Sequence, residues 1–306
     1  MIERIAIVGA GLIGASIAHA ARESGAAKSI ALYDADAGVR ARARALSLGD
    51  VFDDAAAAVT DADLILFCVP VGAMAEAAKA AAPGMKAGAI VSDVGSVKQA
   101  VADAVAPLLP EHAVFVPGHP IAGTERSGPD AGFASLFKGR WHILTPLGDS
   151  EAEKNAVATL ATFWETLGAR IDVMTPARHD VVLAVTSHLP HLIAFNIVAM
   201  AEDLESVTES EVVKYSASGF RDFTRIAASD PTMWRDVFLN NREAVLEVLG
   251  RFSEDLAALQ RAIRWGEGDT LYDLFDRARR MRREVIEAGQ DTAAPNFGRD
   301  TGGEES

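Results

Sequence analysis

His119 sits between Gly118 and Pro120 in the run Pro117-Gly118-His119-Pro120-Ile121-Ala122-Gly123-Thr124-Glu125, directly after an apolar strand pattern. Gly and Pro on either side fix the backbone of an imidazole that titrates near neutrality. Such a group suits a general base that takes a proton from an alcohol. A solvent-exposed turn histidine is the plainer alternative. A second run, Ser92-Asp93-Val94-Gly95-Ser96-Val97-Lys98, again leads from a strand to a helix. Ser96 can cap that helix, hold a substrate hydroxyl or orient the base, because one hydroxyl donates once and accepts twice.

A third run, Ser187-His188-Leu189-Pro190-His191, enters an apolar helix, where Pro190 suits a first helical turn. A histidine pair at this spacing can take a metal, but no Asp, Glu or Cys partner has matching spacing. No metal is expected, and polar contact to an anionic substrate is preferred. Arg221-Asp222-Phe223-Thr224-Arg225 supplies two guanidinium groups in an acidic chain. Arg forks onto a carboxylate and stays charged when buried. Phe220 and Phe223 predict partial burial here, against the alternative of a solvated Arg–Asp pair.

A base beside an alcohol becomes a dehydrogenase site when a hydride acceptor lies next to it. Gly9-Ala10-Gly11-Leu12-Ile13-Gly14 follows the first strand pattern and opens the first helix. In that context Gly9 allows a tight turn, Gly11 admits a pyrophosphate and Gly14 lets helix pack on strand. The helix N-terminus adds N–H groups and a positive dipole end. Asp34 ends the second strand 20 residues after Gly14, where a carboxylate accepts ribose hydroxyls and repels a 2′-phosphate. NAD is expected over NADP, with Arg40 and Arg42 close enough in sequence to complicate the preference. Val69 and Pro70, ending the run Leu64–Val69, would line the same crevice.

The elements that position these groups alternate through the first half. Strand patterns fall at Arg4–Val8, Ser29–Tyr33, Leu64–Val69, Ala89–Ser92, Ala113–Val116, Trp141–Thr145 and Arg170–Met174. Helix patterns lie between them, including Leu12–Ser24, Ser96–Val105 and Glu151–Leu167. This order predicts an α/β Rossmann-type doubly wound, mostly parallel sheet over residues 1–175. After Thr175-Pro176 strand patterns stop, and an all-α C-terminal domain is expected over 176–289. Its helices are read at Ala177–Thr186, Leu189–Leu204, Ser210–Ala217, Pro231–Leu239, Asn241–Arg264 and Asp269–Ala288. Val245, Leu249, Phe252, Leu256, Leu259 and Ile263 form one apolar seam, for packing within the subunit or for a dimer. The tail 290–306 has little to bury and is expected to be disordered.

With 29 Lys plus Arg against 43 Asp plus Glu, the net charge of −14 argues against nucleic-acid or anionic-membrane partners. An anionic ligand must then find a locally positive pocket. The single cysteine, Cys68, lies in an apolar run and reads as a small hydrophobe in a reducing compartment. No signal peptide or membrane-spanning stretch is read, so a soluble, cytoplasmic protein is expected.

Taken together and in order, GAGLIG at 9–14, DVGSVK at 93–98, GHPIAGTE at 118–125, SHLPH at 187–191 and GFRDFTRIA at 219–227 resemble the prephenate and arogenate dehydrogenases. The resemblance runs from Ile5 to about Arg242 and loosely on to Ala288. It implies oxidative decarboxylation of prephenate, or of its amino analogue arogenate, with His119 as catalytic base and Ser96 positioning the hydroxyl and the base. It further implies His191 and Arg225 as a substrate-binding pair, Ser187, Thr124 and Trp234 in the pocket, and Glu125 and Asp222 in a gating ion-pair network. A homodimer through the helical domain is also implied. Two alternatives stay open. A β-hydroxyacid dehydrogenase of the same plan would need a lysine on the first long helix of the second domain, and Leu189–Leu204 has none. A non-enzymatic NAD-binding protein would have no use for these four polar side chains in their settings.

Overall fold

The computed structural model describes residues 2–124, 126–208 and 218–287. Strands β1 (Ile2–Val8), β2 (Ala27–Tyr33), β3 (Asp50–Val51), β4 (Leu64–Phe67), β5 (Ile90–Asp93) and β6 (Val114–Phe115) pair in parallel in the order β3-β2-β1-β4-β5-β6. The order reverses between β1 and β4, which opens the ligand crevice at their C-terminal ends. Successive side chains point to opposite faces. Ile5 and Ile7 pack with Ile17 of α1 (Leu12–Ser24) and with Leu160 and Trp164 of α6 (Glu151–Thr166). Ala6 and Val8 pack on the other side with α3 (Ala55–Val59), α4 (Met74–Ala81) and α5 (Gln99–Val105). Helix α2 (Ala37–Ala45) borders β2 and β3.

The remaining strands do not join this sheet, a departure from the single sheet expected. β7 (Gly118–Pro120), β8 (Trp141–Leu144) and β9 (Arg170–Val173) form a second, three-stranded sheet. β8 runs antiparallel to β7, with His119 opposite Ile143, and parallel to β9. The catalytic-loop candidate is therefore a short strand, and α6 supplies the crossover from β8 to β9.

Thr175 caps the first helix of the second domain, its Oγ1 accepting the Arg178 N–H at 3.3 Å. Helices α7 (Pro176–Leu183) and α8 (Leu189–Thr208) do not separate at Ser187–Pro190 as read from the sequence. A π-helical turn, Ala184–His188, joins them. Pro190 has no N–H to give to the preceding turn, and the wider turn carries the chain past that missing bond. By length and composition alone the joined run Pro176–Asp203 could cross a membrane. Its polar residues His179, Asp180 and His188 are instead buried against neighbouring elements.

Beyond α8 come α9 (Ser218–Thr224), α10 (Pro231–Asn240), α11 (Arg242–Trp265) and α12 (Gly268–Glu287). The helix read at Ser210–Ala217 and the tail 290–306 lie outside the described residues. The α11 seam begins buried at Val245 and opens along the helix, with Leu256 47 % and Ile263 68 % exposed. Trp265, Tyr272 and Phe275 continue this open apolar surface onto α12. The two domains meet through Val97, Trp234 and Val237, with Val71, Phe195 and Phe238 around them.

Candidate active site

The glycine loop has the geometry a dinucleotide needs. Gly9 has φ of +105°, and a Cβ there would lie 2.4 Å from the Cys68 carbonyl oxygen. Gly9 N–H donates to Tyr33 O at 2.7 Å and Ala10 N–H to Asp34 Oδ2 at 2.8 Å, which ties the turn to the end of β2. Gly11 is the N-cap of α1 and has no heavy atom within 4 Å of a built Cβ. No side chain caps α1 and no acidic residue occupies its first turn. Open space and unclaimed N–H groups at one helix N-terminus fit the pyrophosphate of NAD. Leu12 and Ile13 form the first helical turn, and Val69 Cγ1 packs beside Gly9 while Pro70 is exposed at the crevice edge. The two arginines that complicated cofactor choice are engaged. Arg40 pairs with Asp53 at 2.9 Å and with the Asp34 carbonyl at 2.8 Å, and Arg42 pairs with Asp130.

Across the crevice, β5, β7 and α7 converge on a buried polar cluster. Lys98 and Asp93 form an ion pair with both side chains fully buried. Lys98 Nζ also donates to Gly118 O at 2.6 Å, and Asp93 accepts from the N–H groups of Gly95 and Gly118. Pairing outweighs removal from water only with further hydrogen bonds in support, here from the ammonium to Gly118 O and from the Gly95 and Gly118 N–H groups to the carboxylate. This cluster fixes the main chain just before His119. Gly118 is required by crowding, since a Cβ would lie 2.7 Å from His142 Nε2.

His119 is half-buried, and its Nδ1 lies 2.9 Å from Nε2 of His179. His179 Nδ1 in turn contacts Asp180 Oδ1 at 2.8 Å. Burial pushes the His119 pKa well below the ordinary value, with His179, Lys98, His142 and His188 acting in the same direction. His119 is neutral at physiological pH. Ser96 does not cap α5, which begins at Gln99. The cap comes from Asp180, which accepts Lys98 N–H at 2.8 Å and Gln99 N–H at 2.9 Å. A residue of the second domain thus performs the role expected of a local serine. Asp180 is thereby engaged at both carboxylate oxygens and buried. The half-buried Ser96 lies in the intervening loop, its main chain approaching the His188 ring but short of a full hydrogen bond at Nε2.

On the helical side, the π turn carries Ser187 and His188. His188 is fully buried, accepts Asn241 Nδ2 at 3.0 Å, and has its pKa lowered by burial to about 4. His191 Nδ1 donates to Ser187 O at 2.9 Å, and its ring stacks on buried Trp234 with centroids 3.7 Å apart. Arg225 is near enough to His191 to disfavour its protonation. The structure therefore brings Ser187, His191, Trp234 and Arg225 to one place. The arginine segment departs from its expected partial burial. Arg221, Asp222, Phe223 and Arg225 are exposed, with Asp222 3.5 Å from Arg221. Helix α9 packs on α8 and the turn after it, which leaves its outer face open. Thr124 Oγ1 accepts Arg126 N–H at 3.2 Å in the loop after β7. Glu125 lies outside the described residues.

Asp93, Lys98, His179, Asp180 and Asn241 were not singled out as a cluster in the sequence. The available signals were a carboxylate and a lysine five apart in an otherwise apolar loop and an adjacent His-Asp pair.

Residues 17–173 match the nucleotide-binding domain of prephenate dehydrogenase, and residues 175–277 match its dimerization domain. The chain is 47 % identical to a cyclohexadienyl dehydrogenase of Zymomonas mobilis, over 92 % of this chain and 95 % of that one. The chain belongs to the prephenate dehydrogenase family. It is also similar to a prephenate dehydrogenase of Bacillus subtilis, 33 % identical over 97 % of this chain and 80 % of the relative. Its fold matches the crystal structure of prephenate dehydrogenase from A. aeolicus in complex with hydroxyphenyl propionate and NAD+, with TM-score 0.85 and 33 % identity over 93 % of this chain and 99 % of that one. A 3-hydroxyisobutyrate dehydrogenase of Mycobacterium tuberculosis shares the fold alone, at TM-score 0.52 and 18 % identity. The family assignment removes the β-hydroxyacid and non-enzymatic alternatives, and the parallel sheet with its helical second domain is the architecture expected.

Proposed function

We propose that this chain catalyses the NAD-dependent oxidative decarboxylation of prephenate to 4-hydroxyphenylpyruvate, and that the same site also accepts arogenate. The observation that carries the reading is a neutral, half-buried imidazole, His119, anchored at Nδ1 on the crevice that the glycine loop opens. Gly9, Gly11, Gly14 and the start of α1 would hold the pyrophosphate, and Asp34 the adenine ribose. The bound nicotinamide supplies the hydride acceptor.

His119 accepts the proton of the ring hydroxyl while hydride leaves the same carbon. The ring carboxylate then departs as CO2, and its bonding electrons make the ring aromatic. His119 returns the proton to the phenolate oxygen, so the step releases no net proton. Ser96 positions the hydroxyl, and Thr124 lies in the loop that follows the strand carrying the base. Arg225 takes a carboxylate of the dianion in a chain whose net charge of −14 would otherwise repel it. Trp234 holds the His191 ring flat by stacking, with Ser187 fixing its Nδ1. Glu125 and Asp222 are the candidates for an ion-pair gate. The exposed apolar surface of α11 and α12, in a segment similar to a dimerization domain, supports a homodimer. The single cysteine, the partly buried Cys68, supports a cytoplasmic setting.

The test is the initial rate of NADH formation by purified protein with NAD and either prephenate or arogenate. Turnover of either is expected, and the ratio of kcat/KM decides substrate preference. Absence of turnover with both, under NAD and NADP, overturns the reading.

A further inference from the structure

The contacts behind His119 form a chain in which each proton position fixes the next. Asp180 Oδ1 is an acceptor that already takes the Lys98 N–H, so the ring atom facing it at 2.8 Å, His179 Nδ1, must carry a hydrogen. His179 is fully buried, and burial is the largest influence on its charge, holding it neutral. A neutral imidazole with hydrogen on Nδ1 has a bare Nε2. That atom lies 2.9 Å from His119 Nδ1, and a bare nitrogen can only accept. His119 must therefore carry its hydrogen on Nδ1 and leave Nε2 unprotonated. The two rings meet edge to face, centroids 5.1 Å apart, so neither can flip without breaking the contact.

We propose that Asp180 and His179 are positioning residues that lock His119 in the tautomer with a bare Nε2, the one form able to receive a substrate proton. The proposal deepens the reading of His119 as the base and rests on it. A carboxylate that fixes an imidazole tautomer is the logic of a nucleophile triad; here a second histidine is interposed and the carboxylate comes from the helical domain. Because Asp180 also caps α5, the lock exists only when the two domains are docked. The same carboxylate couples domain contact to readiness of the base.

The surrounding charged and titratable groups are Lys98 and Asp93 from the β5–α5 segment, His142 from β8 and His188 from the π turn. They affect the charge of His119 and His179 but do not dictate which ring nitrogen is protonated.

Two measurements test the lock. In the unliganded protein, long-range 1H–15N correlation of the imidazoles near pH 7.5 should show His119 protonated at Nδ1 and bare at Nε2. The opposite tautomer, or a mixture, overturns the proposal without any variant. In kinetics, His179→Leu removes the acceptor and should lower kcat roughly 100-fold or more while KM for the substrate stays within about threefold. His179→Gln, whose amide oxygen can occupy the place of Nε2, should recover much of that loss. Equal kcat in His179→Leu and the parent overturns the lock, as does an equal deficit in Leu and Gln. His119→Asn is run beside them. If it retains full activity the base assignment itself fails, whereas loss there with an unaffected His179→Leu sinks the lock alone.

Discussion

Gly14→Ala and Gly11→Ala separate what the glycine loop does for the fold from what it does for the cofactor. A Cβ at Gly14 would lie 2.0 Å from the Gly9 carbonyl oxygen and 3.1 Å from Ile7 Cγ2. Nonbonded heavy atoms settle at about 3.5 Å, so α1 must retreat from β1 by on the order of 1 Å. Overpacking of this kind costs ~1–3 kcal/mol, and a backbone obstacle places it near the upper end. For a domain of this size ~3 kcal/mol lowers Tm by roughly 6–12 °C. Gly11 is different. Nothing lies within 4 Å of its Cβ position and its φ of −75° suits any residue. Gly11→Ala should melt with the parent, yet its methyl takes the space a pyrophosphate needs. NAD affinity should fall roughly ten- to a hundredfold, or ~1.4–2.8 kcal/mol. Thermal melts with and without NAD, together with calorimetric titration of NAD, read both quantities. A Gly14→Ala protein with parental Tm, or a Gly11→Ala protein with parental NAD affinity, would refute the reasoning.

Four further outcomes are expected. Lys98→Met leaves the Asp93 carboxylate buried without its partner and should destabilise by ~3–5 kcal/mol. The double change Asp93→Asn/Lys98→Met should cost less than the sum of the single changes, and strict additivity in denaturant titrations would contradict the buried pair. Because the His119 pKa is held well below 6.5 and the neutral ring is the active form, kcat/KM should stay flat as pH falls from 8 to 6.5 and drop only below that; an acid limb at or above pH 6.5 would contradict this. His188 titrates near 4 when folded against 6.5 as its ordinary value, so the unfolded chain binds the extra proton between them. Its contribution is complete above pH 6.5 and lost as pH falls towards 4, seen as a Tm that declines across that window. Ile263→Asp, at a position 68 % exposed on the open seam, should convert a dimer to monomers in light scattering without lowering the melt of the nucleotide-binding domain.

Local patterns were sufficient for much of this protein. Alternating side chains in β1, the glycine spacing at Gly9–Gly14 and Asp34 at the end of β2 all act within about one βαβ unit, where chain geometry leaves little choice. The same holds for Pro176 opening α7 and for the helical seam on α11. Polar residues in unusual settings, His119 and His191 among them, were visible for their types and neighbours, whereas Trp234 entered only through the family resemblance. What the chain order could not show is which distant groups answer one another. Asp180 caps a helix 82 residues earlier, and His179 meets His119 across 60 residues. Each side chain by itself reads as an ordinary surface helix residue. Ser96 looked like the local cap because a cap is normally local, and the arginine segment looked buried because aromatic neighbours usually bury. Both were decided by how α7 and α9 dock, which depends on packing between domains and on the surface that α9 leaves open. Sequence by itself set the fold class, the cofactor and the reaction family. Only the tertiary structure decided which imidazole nitrogen is free to take a proton, since burial, neutrality and hydrogen-bond order exist only once the elements are assembled.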